Sequence, residues 1–137
     1  MAPDRNGNPG RIKVIFDANA LMIPGQFGVD IFSEIEGVLG SYEPLTLEDV
    51  LSELKGISTG KGRDSSAARV GIMLSKRCRV VSGPYSGLTV DDRIISYAEF
   101  CGGIVATNDR GLKERLLDKN IDVITLRKQK TFEIIKA

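Results

Sequence analysis

Short apolar runs alternate along the chain with longer stretches in which apolar residues recur every three or four positions. Arg11 to Phe16 (R-I-K-V-I-F) reads as a strand ending at Asp17-Ala-Asn, and a loop containing glycine and proline follows it. A helix is predicted from about Asp30 to Leu39, then a short strand over Tyr42 to Leu45. Thr46-x-x-Asp49 fits a capping box ahead of the stripe Leu47, Val50, Leu51, Leu54 and Ile57, which predicts a second helix. Gly56 to Gly62 reads as a flexible loop, and Asp64 or Ser65 opens a third helix that packs through Ala67, Val70, Gly71, Leu74 and Cys78.

Val80 and Val81 mark a strand, and Ser82 to Leu88 is a turn region rich in Gly and Pro. Thr89 caps a helix carrying Ile94, Ile95, Ala98 and Cys101. Gly103 to Ala106 is read as a strand, Arg110 to Asp118 as a helix and Asp122 to Leu126 as a last strand, while Thr131 to Ile135 adds a small strand or simply packs. Strands alternating with helices predict an α/β fold with a parallel sheet covered on both faces. Neither a repeat nor a linker divides the 137 residues, so 11–137 is expected to be one domain. Residues 1–10, polar with Pro and Gly, are read as a disordered lead-in.

Composition narrows the chemistry. The chain contains no histidine, which removes Ser-His-Asp, Cys-His and histidine acid–base catalysis. Cys78 and Cys101 form no CxxC pair and read as buried thiols. No apolar run approaches the roughly 20 residues that a membrane span needs, and Met1 to Gly10 fits neither a signal nor a transit peptide. No membrane contact and a cytoplasmic location are expected. The net charge of +1 does not advertise nucleic-acid binding, but the distribution is uneven. Lys55, Lys61, Arg63, Arg69, Lys76, Arg77 and Arg79 crowd into one stretch, and Arg127, Lys128 and Lys130 form a second group. Such runs are usually solvated surface; beside an acidic crevice they can hold a polyanion, with Lys61, Arg63, Arg69 and Lys76 as the candidates.

Four acids, Asp17, Glu53, Asp91 and Asp109, fall at the ends of the apolar runs or on the helices after them. If those runs are parallel strands, the four carboxylates share one crevice. Helical faces separate them from their neighbours. Asp91 shares a stripe with Ile95 and Ala98, whereas Asp92 lies with Ser96 and Glu99 and completes a capping box with Thr89. Asp91 is therefore the site candidate and Asp92 the fallback. At about 100° per residue, Glu53 lies roughly 95° from the centre of its apolar stripe, Glu48 about 125° and Asp49 about 135°. Asp17 and Asp109 each have a structural alternative as a loop or helix cap.

Convergent carboxylates repel one another and call for a cation. Oxygen-only ligands suit Mg²⁺ or Mn²⁺, ions that activate water and stabilise an in-line phosphoryl displacement. Asn19, Thr107 and Asn108 are placed to orient the acids or hold water. Nucleotide-binding motifs are missing: Gly56-Ile-Ser-Thr-Gly-Lys-Gly has the wrong glycine spacing and ends in Gly62 where a P-loop needs Ser or Thr.

The segments Val14-Ile-Phe-Asp-Ala-Asn-Ala-Leu-Met, Val50-Leu-Ser-Glu-Leu, Asp91-Asp-Arg-Ile-Ile-Ser-Tyr-Ala and Val105-Ala-Thr-Asn-Asp-Arg-Gly-Leu-Lys resemble those of PIN-domain nucleases, in the same order and spacing from Arg11 to about Phe132. The resemblance is nearest to small archaeal PIN proteins related to the eukaryotic PIN nuclease of small-subunit rRNA processing, with VapC-type toxin ribonucleases more distant. It implies a three-layer α/β/α fold with a central parallel sheet and Mg²⁺- or Mn²⁺-dependent cleavage of single-stranded RNA. It also implies Asp17, Glu53, Asp91 and Asp109 as the metal-binding acids, with Asn19 and Thr107 bracing them. Ala18 stands where Thr or Ser is frequent in the family. The roles it suggests are rRNA-precursor processing, with a ribosome-assembly factor as partner, or a toxin ribonuclease with an antitoxin; a homodimer is a further family expectation. Competing readings are a non-catalytic RNA- or protein-binding module of the same fold and a phosphatase or receiver-like domain, which lacks its Asp-x-Asp and its late lysine here.

Overall fold

A computed structural model describes residues 10–137 of the chain. Apart from Gly10, the expected lead-in of residues 1–10 lies outside them. The elements run β1 (Ile12–Phe16), α1 (Ala18–Phe27), α2 (Ile31–Leu39), β2 (Tyr42–Leu47), α3 (Glu48–Ser58), α4 (Arg63–Ser75), β3 (Arg79–Val81), α5 (Val90–Cys101), β4 (Ile104–Ala106), α6 (Arg110–Asp118), β5 (Val123–Arg127) and β6 (Thr131–Ile135). They build a three-layer α/β/α fold around one sheet of order β3-β2-β1-β4-β5-β6. All pairings are parallel except β5 with β6, so the tail contributes an antiparallel edge strand.

The strand order explains where a site can form. From β1 the chain steps outward through β2 to β3, then returns to the other side of β1 for β4 and β5. Since parallel crossovers are right-handed, this reversal sends the later helices to the opposite face. It also opens a crevice between the C-terminal ends of β1 and β4, the switch point of the sheet. Strands buried on both faces are continuously apolar: Val14, Ile15 and Phe16 in β1, Val105 and Ala106 in β4, and Val123 and Ile124 in β5 are all inaccessible to solvent. Cys78 and Cys101 are buried, as expected. Among the described residues no helix is long and apolar enough to cross a membrane.

Three of the expected local structures are replaced. The loop predicted after Asp17 is the helix α1, although Pro24 lies inside it and removes a backbone donor. Burial of Ala18, Ala20, Leu21, Met22 and Ile23 outweighs that loss. The glycines that suggested a break are contact points instead: a Cβ on Gly25 would stand 2.7 Å from Ala67 Cα, and one on Gly71 would stand 2.9 Å from the Leu21 carbonyl oxygen. Small residues thus let α1 and α4 pack closely.

Thr46 does not cap α3. It lies fully buried within β2, and its hydroxyl donates to the Phe16 carbonyl at 2.8 Å, stitching β2 to β1. Leu47 is the N-cap and makes no side-chain bond, while Asp49 is engaged elsewhere. The loop expected over 56–62 is also shorter, because α3 continues to Ser58 and α4 begins at Arg63 behind Gly62, whose φ of 104° suits glycine. The predicted capping box of Thr89 and Asp92 forms in full.

Candidate active site

Asp17 follows β1 directly and is 5% exposed. One carboxylate oxygen, Oδ1, accepts from the Ala20 amide at 2.7 Å and so caps α1. The other, Oδ2, accepts from the Thr107 hydroxyl. The cap and the site position are therefore the same residue. Burial pushes the Asp17 carboxyl up to about 7; the Thr107 and Ala20 bonds pull it down, and the negative fields of Asp91 and Asp109 push it further up.

The Thr107-Asn108-Asp109 turn after β4 is held at each residue. The Thr107 hydroxyl that donates to Asp17 also accepts from the Asp109 amide at 3.0 Å. The Asn108 amide donates to Asn19 Oδ1 at 3.2 Å, and Asn108 Oδ1 accepts from the Thr125 hydroxyl at 2.7 Å and the Leu126 amide at 2.8 Å. Asp109 Oδ1 caps α6 through the Leu112 amide at 3.1 Å. Asn19, Thr107 and Asn108 together fasten the ends of β1, β4 and β5 around Asp17.

Glu53 and Asp91 reach the same field from α3 and α5. Burial raises the Glu53 carboxyl above its ordinary range, and Asp91 and Asp109 raise it further. Asp91 is raised by burial and then by Asp109, against a lowering influence from Arg115. Asp17 and Glu53 thus each feel both Asp91 and Asp109, and Asp91 feels Asp109. The neighbouring acids have other partners. Asp92 closes the Thr89 capping box and pairs with Arg115 at 2.6 Å, and chiefly this Arg115 contact holds it down at about 2. Asp49 is bound by Tyr85 and Arg93.

The donor set, carboxylate oxygens with mutual repulsion, is that of a hard divalent cation such as Mg²⁺ or Mn²⁺. Among the described residues, no three acidic or cysteine side chains stand close enough to share one ion as they are placed. The acids form an electrostatically coupled crevice rather than a closed cage, and repulsion between them opposes closer approach.

The basic candidates separate. Lys61 and Arg63 are exposed at the start of α4. Lys76 caps the far end of that helix, about 20 Å away along its axis at 1.5 Å per residue, so the two ends cannot form one patch. Arg69 serves the fold: its guanidinium donates to the Ser58 carbonyl at 2.7 Å and to Ser66 Oγ at 3.1 Å, tying α4 to the end of α3. The sequence reading missed Tyr85, Arg93 and Arg115, whose partners lie 36, 44 and 23 residues away.

Comparison with known proteins follows the same lines. A family profile described as a PIN like domain matches residues 14–129. Ribonuclease VapC4 of Methanocaldococcus jannaschii (strain ATCC 43067 / DSM 2661 / JAL-1 / JCM 10045 / NBRC 100440) is 32% identical over 127 residues, which span 89% of this chain and 95% of that protein. The solved structure of the PIN domain endonuclease Utp24 superimposes with a TM-score of 0.75 at 23% identity, over 91% of this chain and 92% of that one. The crystal structure of PAE2754 from Pyrobaculum aerophilum gives a TM-score of 0.53 at 21% identity, over 78% and 83% of the two chains.

Proposed function

Because this chain belongs to the PIN like domain family, we propose that it is a divalent-metal-dependent endoribonuclease acting on single-stranded RNA in the cytoplasm. The observation that carries the proposal is Asp17: a buried carboxylate at the switch point of the sheet, coupled to Asp91 and Asp109. An acid so placed is unfavourable without a compensating cation.

Asp17, Asp91, Asp109 and Glu53 would hold Mg²⁺ or Mn²⁺, which supplies charge neutralisation at the phosphodiester and activation of water for its hydrolysis. Thr107, Asn108 and Asn19 keep Asp17 and Asp109 in register through the bonds around the β4 turn. Lys61 and Arg63, both exposed at the start of α4, dock the RNA backbone by charge. An rRNA precursor and a ribosome-assembly factor are the substrate and partner in one biological role; in the other the enzyme is a toxin restrained by an antitoxin. Both roles use this one site.

Cleavage of a labelled single-stranded RNA with Mn²⁺ or Mg²⁺ tests the proposal. Asp17→Asn and Asp91→Asn are each expected to lower the rate by about 10²-fold or more, the scale of losing a group that stabilises developing charge. Metal-independent cleavage, or equal activity in all three proteins, would overturn it. Tight RNA binding without cleavage would favour a non-catalytic binding module.

A further inference from the structure

A bridge outside the four carboxylates joins the helices that carry two of them. On α3, Asp49 lies one helical turn before Glu53; on α5, Arg93 lies two residues after Asp91. Arg93 Nη1 pairs with Asp49 Oδ2, and Arg93 Nε donates to the Gly87 carbonyl at 3.0 Å. The Tyr85 hydroxyl donates to the other Asp49 oxygen at 3.2 Å. One guanidinium and one carboxylate therefore connect α3, α5 and the segment between β3 and α5.

The two helices lean on different elements around the shared sheet. α3 rests on α4, α1 and β2, whereas α5 rests on β1 and β4. Glu53 and Asp91 repel each other, so nothing in their own chemistry holds the two helices at a fixed spacing. From this geometry we infer that Asp49 and Arg93 are positioning residues that set the distance between Glu53 and Asp91, so that the pair meets an incoming divalent ion at a fixed separation. The inference rests on the metal-site reading of those acids. An isolated surface pair is a weak restraint. Here both members are half-buried and each has a further partner, so the side-chain entropy lost in forming the pair is already spent on neighbouring bonds.

Sign separates positioning from simple charge. Arg93 is a cation beside an acidic crevice, and its through-space effect is to weaken metal binding. If charge alone mattered, Arg93→Gln would tighten Mn²⁺ binding and Asp49→Asn would loosen it. Positioning predicts that both loosen it, by about 10-fold, the scale seen when a group orienting a metal ligand is removed. The double variant is expected to be no weaker than either single one, because both break the same tie. Arg93→Lys keeps the charge and loses the two-pronged geometry, so it is expected to loosen binding as well.

The measurement is Mn²⁺ affinity of the full chain by calorimetry or by paramagnetic resonance of free Mn²⁺, with thermal unfolding as the check on folding. Looser binding in Arg93→Gln and Arg93→Lys, non-additive with Asp49→Asn, would support the inference. Tighter or unchanged binding in Arg93→Gln would overturn it. Wild-type protein that does not bind Mn²⁺, or an Asp17→Asn variant that binds it as wild type does, would instead overturn the metal-site reading itself.

Discussion

Thr107 and Asp17 stand 90 residues apart in the chain, yet the Thr107 hydroxyl donates directly to the buried Asp17 carboxylate. The contact follows from the sheet: Phe16 is in register with Ala106, so the next residue of each strand emerges at the same edge. The same hydroxyl accepts from the Asp109 amide, which makes one oxygen atom the link between two of the candidate metal ligands.

Thr107→Val should show what that link does. The substitution keeps the shape of the side chain and removes both bonds, leaving Asp17 Oδ2 without its donor inside the protein. A stability loss of about 1–3 kcal/mol is expected in urea unfolding, the scale of an unsatisfied buried polar group. Mn²⁺ affinity is expected to fall by about 10–100-fold. Because the Thr107 bond lowers the Asp17 pKa, its removal should raise that pKa further. Thr107→Ser should retain most of both properties.

The stability of the metal-free protein should fall as pH rises through the range set by Asp17. Its folded-state value is about 7 against an ordinary 3.8, so between these pH values the folded protein holds a proton that the unfolded chain has released. Stability therefore declines across that window, by on the order of 4 kcal/mol for a shift of this size. Unfolding curves from pH 4 to 8 would show it. Mg²⁺ should offset the decline toward neutral pH by binding the folded state, and Asp17→Asn should flatten it.

Glycine substitutions should split by contact. Gly71→Ala drives a methyl to 2.9 Å from the Leu21 carbonyl oxygen, and Gly25→Ala to 2.7 Å from Ala67 Cα. Both should destabilise, by about 1–3 kcal/mol, as overpacking does. Gly37 and Gly56 lie within α2 and α3 with nothing within 4 Å of an added Cβ. Their alanine variants should stabilise by about 0.5–1 kcal/mol. Urea midpoints of the four variants would check the division.

Periodicity carried the alternation of strands and helices, and it placed Asp17, Asp91 and Asp109 correctly beside their elements. It was blind wherever a distant residue decided the outcome. α1 escaped because Pro24 and Gly25 are locally unfavourable in a helix, and only Ala67 and Gly71 on α4 reveal why a smooth surface is needed there. Thr46 carried the local signature of a cap, but its hydroxyl was claimed by Phe16 across the sheet. The basic residues illustrate the same limit: charge counting grouped Arg69 and Lys76 with Lys61 and Arg63, while the fold assigns Arg69 to the end of α3 and puts Lys76 at the far end of α4.

Asp91 and Asp92 are adjacent in sequence and should separate by experiment. Asp92 accepts from the Leu88, Thr89 and Arg115 donors and completes the cap of α5. Asp91 has no such duty, and what it feels is chiefly burial and the field of Asp109. Asp91→Asn should thus abolish metal-dependent cleavage by about 10²-fold or more while leaving the melting temperature unchanged or slightly higher, since it removes repulsion. Asp92→Asn should lower the melting temperature by a few degrees through the weakened cap and retain Mn²⁺ binding. The paired readout, thermal unfolding beside Mn²⁺ titration, decides the assignment. If Asp92→Asn lost the metal and Asp91→Asn kept it, the helical-face argument that chose Asp91 would be wrong, and the capping box would have to open for catalysis.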